Sequence, residues 1–345
     1  MSGSGRSGDA YARAGVDIDA GNRAVQRYRD VTSGWTHPEQ LGSLGGFSGL
    51  FRLPGDPKRA LVGSTDGVGT KILIAAALRR YDTVGADLVN HCVNDILVTG
   101  ADPLFFLDYL AVGKLDPEVA ALVVAGVHRA CRENACALLG GETAEMPGVY
   151  RPDHFDLAGT IVGLVEIDAI PDPNRVVPGD AIVGLPAVGL HTNGYTLART
   201  LIGEDEYAAA CGASTYGEAL LAPHPSYLEP VRAIRGVADV KSMAHITGGG
   251  LLENVPRTLP EHAAAVFEQT RWKVPPIMVE LVRRGALAHE ERYRTLNMGV
   301  GYTLIVPMTD VDKALRAAPG ATVVGFVQPR REGDPRVIVR PVRTA

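Results

Sequence analysis

A buried-strand pattern followed at once by a helix-start pattern is the feature that most restricts the fold of this chain. The apolar, aromatic-rich run "PLFFLDYLAV", 103–112, predicts a buried strand. In the following segment, 116–134, Asp116 is in N-cap position, Pro117 at the first helical position and Glu118 in the first turn of a helix. Strands that alternate with helices favour a mixed α/β or α+β fold over an all-helical or all-β one.

The same alternation occurs on both sides of a proline-rich segment. Before it, "RALVGST" predicts a strand and "ILIAAALRRY" a helix; after it, "AIVGL" predicts a strand and "YTLARTLI" a helix. The segment itself, 167–180, has three prolines between apolar runs, which is typical of a domain boundary. At 345 residues the chain is long enough for two cores. We therefore predict an N-terminal domain over 1–170 and a C-terminal domain over 171–345.

Composition excludes several classes of function. The net charge is −5 and the pI about 6.0, so no basic field attracts nucleic acid or an anionic membrane. Apolar runs such as "ILIAAAL" are far shorter than the roughly 20 residues that span a bilayer. The opening "MSGSGRSGD" lacks the apolar core of a secretory signal. We expect a cytoplasmic protein with no nucleic-acid or membrane partner, whose four cysteines are reduced, mostly buried thiols rather than a disulfide or zinc site.

The stretch "GSTDGVGTK" joins a predicted strand to a predicted helix and concentrates polar groups there. It contains Asp66, two glycines at 67 and 69, and Lys71. Glycines permit positive φ and close approach of the backbone, which a tight turn and a phosphate site need equally. The spacing differs from that of a Walker A loop. On local grounds alone, both interpretations stay open.

Five short polar side chains follow one face of a helix predicted to begin near residue 84. These are Asp87, Asn90, His91, Asn94 and Asp95. A solvated face is the ordinary interpretation of such a stripe, but solvated faces usually carry long Lys, Glu and Arg side chains. Short side chains with oxygen donors are also typical of a metal site or a packed polar network. If the helix meets the "STDG" turn, Asp66 and Asp95 supply the one or two carboxylates that Mg²⁺ takes beside phosphate oxygens.

Further acids and glycines occur in predicted loops. "GGETAEM", with Glu142, is interpreted either as a glycine turn with exposed acids or as part of an acidic site, and "GVDIDAGN" adds Asp17. In the second half, His191 and Asn193 in "GLHTNGYT" and the glycines of 247–250 precede predicted helices, whose free N–H groups suit phosphate. An ordinary N-cap with loop glycines is the alternative for each.

Absent signatures narrow the chemistry. The chain has no Gly-x-Ser-x-Gly elbow, no His-Glu-x-x-His zinc motif and no Gly-x-Gly-x-x-Gly dinucleotide fingerprint after a predicted strand. Hydrolysis through a serine nucleophile, zinc proteolysis and dehydrogenase chemistry therefore lack their usual residues. Metal-assisted phosphoryl transfer, which depends on positioning and charge neutralisation, is the interpretation that remains.

Longer motifs identify a family. The segments "AGVDIDAGN", "STDGVGTK", "CVNDILVTGADPLFFLDYLAVGKL", "GGETAEMPGVY", "HTNGYTLAR", "HITGGGLLENVPR" and "YRTLNMGVGY" occur in the order found in the phosphoribosylformylglycinamidine cyclo-ligase family, also called aminoimidazole ribonucleotide synthetases. The resemblance extends from about Ala14 to Val306. The chain departs from the family at Met298, where cysteine is common, and at Ser48, where glycine is usual. Met298 argues against an essential thiol at that position.

The resemblance implies a fold and an activity. It implies an α+β protein of two domains, in which the N-terminal sheet joins its copy in the barrel of a homodimer and the C-terminal domain is an α/β sandwich. It also implies Mg²⁺- and ATP-dependent ring closure of a phosphorylated purine precursor, formylglycinamidine ribonucleotide, to aminoimidazole ribonucleotide, with release of ADP and phosphate. Such chemistry relies on orientation of an intramolecular attack, which accounts for carboxylates and glycines in place of a triad.

Roles for individual residues follow from the same resemblance, motif by motif. The residues implied to bind metal are Asp66, Asp95 and Glu142, with Asp17 a weaker member. Those implied to contact ATP are Gly67, Gly69, Thr70, Asn94, Gly141 and Thr143, with Lys71 at the nucleotide phosphates or the transferring group. Those implied near the substrate are Asn193, Gly248 and Gly249, with His191 a candidate proton carrier. The glycine-rich loop 41–49 is expected to close over the ligand.

Two alternatives remain at this point. One is a small-molecule kinase of the same superfamily, which makes ADP and a stable phosphoester. The other is a non-catalytic nucleotide-binding or maturation partner, which has little need for several acidic segments. The "HTNGYT" and "TGGG" motifs favour the cyclo-ligase.

Overall fold

Two six-stranded sheets lie one in each half of the chain, in a computed structural model that describes residues 10–42 and 44–341. The prediction made for the first nine residues falls outside the described residues, and so does Ser43 of loop 41–49. In the first half the helices are α1 Ala10–Arg13, α2 Ile18–Thr32, α3 Lys71–Leu78, α4 Val84–Leu97 and α5 Pro117–Glu133. The strands are β1 Gln40–Leu41, β2 Gly49–Arg52, β3 Arg59–Gly67, β4 Asp102–Val112, β5 Ala137–Glu145 and β6 Phe155–Glu166.

The second half continues the alternation of helices and strands. Its helices are α6 Tyr195–Leu201, α7 Tyr216–Leu221, α8 Leu228–Arg235, α9 Gly250–Asn254, α10 Pro276–Gly285, α11 His289–Thr295 and α12 Val311–Ala317. Its strands are β7 Ala181–Pro186, β8 Ala210–Cys211, β9 Ser214–Thr215, β10 Ser242–His245, β11 Ala263–Glu268, β12 Val300–Val306, β13 Thr322–Pro329 and β14 Val337–Arg340. Short 3₁₀ turns at Ile167–Ala169 and Pro173–Arg175 lie in the proline-rich segment between the two sheets.

The first sheet has the order β1-β2-β3-β6-β4-β5. Its neighbours are antiparallel except β4 and β5, which are parallel. Because β3 and β4 both pair antiparallel with β6, they run in the same direction and end at the same edge of the sheet. The predicted strand "PLFFLDYLAV" is confirmed as part of β4, but it is not fully buried, since Leu104, Leu107 and Tyr109 are exposed. The predicted start of α5 is confirmed as well, since the Asp116 carboxylate accepts hydrogen bonds from the N–H groups of Glu118 and Val119.

The second sheet has the order β10-β12-β7-β13-β11-β14, antiparallel except for the β11–β14 pair. Both sheets therefore mix strand directions and carry helices, which confirms the predicted α+β class. Buried apolar side chains of the two halves form one continuous core. All four cysteines, Cys92, Cys131, Cys136 and Cys211, are free and buried, as predicted.

Helix α4 is buried along its whole length and lies between the first sheet and the second half. It packs closely on α5, where a Cβ at Gly85 would lie 2.3 Å from the carbonyl oxygen of Val123. Thr83 precedes the helix, but its side chain makes no capping hydrogen bond. The polar stripe of α4 is therefore not a solvated face, and its partners must be protein groups.

The prediction that "GGETAEM" forms a loop is wrong. Residues Gly140 to Glu145 continue strand β5, which pairs with β4 from Phe105↔Ala137 to Val112↔Glu145. Strand β4 extends to Val112, so its backbone N–H and C=O groups can still pair with the residues that follow the apolar "CALL" run. Strand pairing therefore continues through the two glycines. β5 is the last strand in the order, and Glu142 is exposed on it.

Among the described residues, no helix is both long and apolar enough to cross a membrane.

Candidate active site

The "STDG" turn meets α4 in the structure, which is the condition under which Asp66 and Asp95 can act together. Asp66 lies near the end of β3 and Asp95 in the last turn of α4. The Oγ of Ser64, also on β3, is 3.2 Å from Asp66 Oδ2 and 3.4 Å from Asp95 Oδ2. β3 packs on α4, so alternate residues of the strand, 64 and 66, bring their side chains to this helix. The two carboxylates converge at the edge where β3 ends.

Two histidines contact these carboxylates from different sides. His91 Nε2 is 3.3 Å from Asp66 Oδ1 and 4.0 Å from Asp95 Oδ2. His245 Nδ1, at the end of β10, is 2.7 Å from Asp95 Oδ1. Burial raises the pKa of Asp95 well above its usual range, and the neighbouring Asp66 charge adds to this effect. Burial lowers the pKa of His245 to about 3, so the imidazole is neutral at pH 7.

These carboxylates line a cavity of about 350 Å³ between the two halves of the chain. Its lining residues are Gly46, Phe47, Ser64, Thr65, Asp66, His91, Asp95, Asn193, Thr247, Gly248 and Arg257. The cavity thus brings together two residues predicted to bind metal and two, Asn193 and Gly248, predicted to bind substrate. Gly46 and Phe47 belong to the loop 41–49 that was expected to cover the ligand.

A larger cleft of about 820 Å³ lies elsewhere, among α3, α5 and the loop at 151–155. None of the residues predicted for the site lines it. We place the candidate site in the smaller cavity because carboxylates, an imidazole and loop glycines from several segments converge there.

Arg257 is a functional candidate that the sequence analysis missed. It is exposed at the cavity and lies over the Phe47 ring, 5.2 Å from guanidinium carbon to ring centroid. It forms no hydrogen bond or ion pair with any described residue. A guanidinium whose N–H groups have no acceptor among those residues is suited to bind a phosphate. The available signal was its position at the end of the motif "HITGGGLLENVPR".

Lys71 lies behind the cavity rather than on its wall. Its ammonium is 2.7 Å from Asp87 Oδ2, and both side chains are fully buried. It also donates hydrogen bonds to the carbonyl oxygens of Ala222, at 2.8 Å, and His191, at 3.3 Å. The interpretation of Lys71 as a phosphate contact is corrected by this placement, since its donors face α4 and the backbone of the second half.

Asn94 is corrected for the same reason. It is fully buried; its amide nitrogen donates to the carbonyl oxygen of Pro225 at 2.9 Å, and its carbonyl oxygen accepts from the N–H of Tyr227 at 2.8 Å. Elsewhere on the stripe, Asp87 accepts from the N–H of His224 at 2.7 Å. Most of the polar stripe of α4 therefore binds the segment 222–227 of the second half, and only its end, at His91 and Asp95, reaches the cavity.

His191 is buried beneath the cavity and stacks on His224, with ring centroids 4.0 Å apart and an interplanar angle of 14°. Its Nε2 is 3.3 Å from the Tyr227 hydroxyl, and its Nδ1 has no partner among the described residues. Burial, with the nearby His245 and Lys71, holds the pKa of His191 well below its usual range. His191 is therefore a neutral imidazole that does not line the cavity, which does not support its interpretation as a proton carrier.

Glu142, with the predicted ATP contacts Gly141 and Thr143, lies far from the carboxylate pair within one chain. The sheet register aligns Asp66 with Gly159, Gly159 with Asp108 and Asp108 with Gly141. Three strand spacings separate β3 from β5, or about 14 Å. Glu142 therefore does not join Asp66 and Asp95 in a single protomer.

The remaining predicted residues have local structural partners. The Asp17 side chain caps α2 by accepting from the N–H of Ala20 at 2.9 Å, and it does not line the cavity. Thr70 Oγ1 is 3.3 Å from Thr196 Oγ1 of α6. Gly67 ends β3, whereas Gly69 and Gly249 have φ of +69° and +91°, in the region that favours glycine. The helices α6 and α9 that follow the "HTNG" and "TGGG" motifs are only seven and five residues long.

The residues present fit a divalent cation. Asp66 and Asp95 supply two carboxylates that share one Ser64 hydroxyl, and burial with the neighbouring Asp66 charge raises the pKa of Asp95, which a cation would offset. Mg²⁺ in nucleotide sites is held in this way, by one or two carboxylates with phosphate oxygens and water.

Sequence comparison places both halves of the chain in known domain families. Residues 46–165 match the family model described as AIR synthase related protein, N-terminal domain, and residues 177–338 match AIR synthase related protein, C-terminal domain. The phosphoribosylformylglycinamidine cyclo-ligase of Syntrophotalea carbinolica is 46% identical over 340 residues, which cover 95% of this chain and 97% of the relative.

Solved structures share the fold at low sequence identity. AaThiL complexed with AMPPCP and TMP has a TM-score of 0.60 at 15% identity, over 95% of this chain and 94% of that chain. The hydrogenase maturation protein HypE in complex with ATP has a TM-score of 0.57 at 20% identity, over 94% and 92%. The fold, the matched domains and the full-length relative together show that the chain belongs to the phosphoribosylformylglycinamidine cyclo-ligase family of AIR synthase related proteins.

Proposed function

We propose that this protein catalyses the ATP-dependent cyclisation of formylglycinamidine ribonucleotide to 5-aminoimidazole ribonucleotide, with release of ADP and phosphate, in purine biosynthesis. Family membership supports the reaction. The observation that carries the assignment to a site is that Asp66, Asp95, Asn193 and Gly248 line one cavity. The cavity thus offers groups for a cation and nucleotide phosphates together with groups for a phosphorylated substrate.

The chemistry needs little acid or base from the protein. The formyl amide oxygen attacks the γ-phosphorus of ATP, ADP leaves, and an imidoyl phosphate forms. The amidine nitrogen of the same molecule then attacks the imidoyl carbon, the carbon–oxygen bond breaks, and phosphate leaves as the nitrogen loses a proton. Holding the two ends of the substrate together can supply roughly 7–11 kcal/mol of the barrier. A cavity lined by residues of both halves of the chain is suited to that task.

Asp66 and Asp95 would hold Mg²⁺, which when bound neutralises charge on the transferring phosphoryl group. The bound AMPPCP of AaThiL and ATP of HypE support nucleotide use on this fold. The exposed Arg257 binds a phosphate of the substrate or nucleotide, and Asn193 with the Gly248 backbone orients the substrate. Lys71 and Asn94 act as positioning residues, because they hold the second half against α4.

A homodimer is part of the proposal. Leu104, Leu107, Tyr109 and Leu139 of β4 and β5 are exposed large apolar side chains in the first sheet, and β5 is an edge strand. An exposed apolar face next to an open edge favours association with a second copy. We infer that the second copy brings its β5, with Glu142, Gly141 and Thr143, to the carboxylate pair. The protein is expected to act in the cytoplasm, without nucleic acid.

Isotope transfer tests the proposed reaction. Substrate labelled with ¹⁸O in the formyl amide oxygen is incubated with Mg·ATP, and the released phosphate is analysed by mass spectrometry. The proposal requires one ¹⁸O atom in each phosphate formed, because the substrate oxygen leaves on phosphorus. Unlabelled phosphate would contradict this mechanism. A stable phosphoester without a ring-closed product would favour a small-molecule kinase instead.

A further inference from the structure

His91 is a nitrogen donor at the wall of the carboxylate site. Its side chain is 6% exposed, and it lines the cavity together with Asp66 and Asp95. Its Nε2 faces the two carboxylates, at 3.3 Å from Asp66 Oδ1 and 4.0 Å from Asp95 Oδ2. None of the predicted phosphoryl-transfer roles uses this imidazole.

The distances from His91 Nε2 to the two carboxylates match those between ligands of one metal ion. Ligand atoms at about 2.1 Å from an ion lie about 3.0 Å apart when adjacent and about 4.2 Å apart when opposite in an octahedron. Both measured distances fall within that range. His91, Asp95 and His245 also form a group whose ligand atoms all lie within 4.8 Å of one another. His245 Nδ1 is 2.7 Å from Asp95 Oδ1, so it serves to orient the carboxylate.

The other ring nitrogen of His91 is held in a way that permits metal binding. His91 Nδ1 is 2.6 Å from Thr192 Oγ1. A hydroxyl can donate or accept, so Thr192 supports either neutral tautomer of the ring. Without a cation, a proton on Nε2 lies beside the Asp66 carboxylate, with Nε2 3.3 Å from Oδ1. With a cation, the proton is on Nδ1 and donates to Thr192, and the Nε2 lone pair is free for the metal.

A second group of histidines does not share this geometry. His191, His224 and His245 lie within 4.8 Å of one another by their ligand atoms. The rings of His191 and His224, however, are stacked 4.0 Å apart at 14°. Lone pairs of imidazole lie in the ring plane, so those of two stacked, nearly parallel rings do not converge on one ion. The nitrogen donor suited to a metal is therefore His91.

We propose that His91 Nε2 joins Asp66 and Asp95 as a ligand of the divalent cation, and that the site therefore prefers borderline transition ions such as Mn²⁺ or Co²⁺ to Mg²⁺. The inference rests on the cation site of the proposed function. Mg²⁺ favours oxygen ligands and retained waters, whereas imidazole nitrogen raises affinity for ions later in the first transition row. His91 is thus a residue that determines metal specificity.

Mn²⁺ alone, without nucleotide, is a direct probe of this ligand. Binding is measured by the electron paramagnetic resonance of free Mn²⁺, and the ligand by ¹⁴N modulation of the electron spin echo of bound Mn²⁺. The test variant is His91→Asn, whose amide reaches the Nδ1 position and keeps a partner for Thr192 while Nε2 is lost. His91→Gln is a second variant, with an amide oxygen near the Nε2 position. His128→Asn, at an exposed histidine of α5, is the matched control.

We expect ¹⁴N modulation in the native protein and in His128→Asn, and its loss in both His91 variants. His91→Asn should weaken Mn²⁺ binding by at least about tenfold, and Mg²⁺ binding, measured by competition, by less than about threefold. Bound Mn²⁺ without ¹⁴N modulation in the native protein would overturn the inference and leave the cation site intact. Mn²⁺ binding that is absent, or unchanged by Asp66→Asn, would overturn both the inference and the proposed cation site.

Discussion

Lys71 and Asp87 form an ion pair in which Nζ lies 2.7 Å from Oδ2 and neither side chain is exposed to solvent. Lys71 comes from the end of the "GSTDGVGTK" stretch and Asp87 from the polar stripe of α4. The pair also binds the backbone of Ala222, His224 and His191 in the second half. The motif that looked like a phosphate loop thus has two functions: its aspartate reaches the cavity, and its lysine joins the two halves of the chain.

Lys71→Met should destabilise the protein strongly. Removal of one partner of a buried ion pair leaves the other charge uncompensated, at a cost of about 3–5 kcal/mol in the free energy of unfolding. The double variant Lys71→Met/Asp87→Asn should recover much of this loss, since the amide that replaces the carboxylate carries no charge and still accepts from the N–H of His224. Urea unfolding of both variants measures the difference. A double variant as unstable as Lys71→Met would show that the buried charge is not the cause.

Stability below pH 6.5 should depend on His224. Burial, reinforced by His191 and His245, holds the pKa of His224 well below its usual range. In the unfolded chain the ring titrates near pH 6.5. The folded state therefore binds fewer protons, and the stability contributed by this group is present above pH 6.5 and lost as the pH falls through the window below it. The slope of the free energy of unfolding against pH should be smaller in His224→Asn, by an amount that approaches about 1.4 kcal/mol per pH unit.

Urea unfolding at pH 7.5, 6.5 and 5.5 checks this difference in slope. Comparison of slopes rather than of stabilities removes the general effect of the substitution. The raised pKa of Asp95 makes the free energy of unfolding decrease as the pH rises, which is the opposite trend. Asp95 is present in both proteins, so this effect cancels in the comparison. Equal slopes for the native protein and His224→Asn would contradict a neutral, buried His224.

Arg257→Ala should weaken binding of a phosphorylated ligand. A hydrogen bond to a charged group contributes about 1.5–3 kcal/mol, which corresponds to a rise in KM of at least about tenfold for the substrate or ATP. Steady-state kinetics with each ligand varied in turn identifies which phosphate is bound. Arg316→Ala, at an exposed arginine of α12, is the control. An equal effect of both substitutions would remove Arg257 from the site.

Mixed dimers test whether Glu142 acts across an interface. Asp66→Asn and Glu142→Gln should each lower turnover by about 100-fold or more, because each removes a carboxylate from the cation site. In an equal mixture of the two variants that has exchanged subunits, about half of the dimers are mixed and each has one intact site. Activity should therefore return to about one quarter of the native value. A mixture no more active than its components would contradict a shared site.

Local patterns in the sequence predicted much of the fold. The N-cap signal at Asp116, the apolar run of β4 and the spacing of Asp87, His91 and Asp95 on one helix face all have their predicted structure. The limits appear where partners are distant. Periodicity showed that α4 has a polar face, but not that this face is buried against segment 222–227. Likewise, glycines in "GGETAEM" suggested a loop, although pairing with β4 makes them a strand.

The residues that sequence reasoning missed are linked to the site by long-range contacts. His245 lies 150 residues from Asp95, its hydrogen-bond partner. Arg257 reaches the cavity because the turn after α9 folds back on Phe47. No helical or strand period relates such positions, so only the packing of the two halves brings them together. Lys71 and Asn94 were misinterpreted for the opposite reason. Both lie in motifs that resemble ligand sites, but their side chains bind other groups of the protein.

The most direct test of the account is the release of phosphate from Mg·ATP with and without formylglycinamidine ribonucleotide, with 5-aminoimidazole ribonucleotide measured in parallel. Asp66→Asn serves as the inactive protein and Asp153→Asn, at an exposed loop carboxylate, as the matched control. The account predicts substrate-dependent phosphate release matched one-for-one by the ring-closed product, lost in Asp66→Asn and retained in Asp153→Asn. Phosphate release without that product, or full turnover by Asp66→Asn, would contradict it.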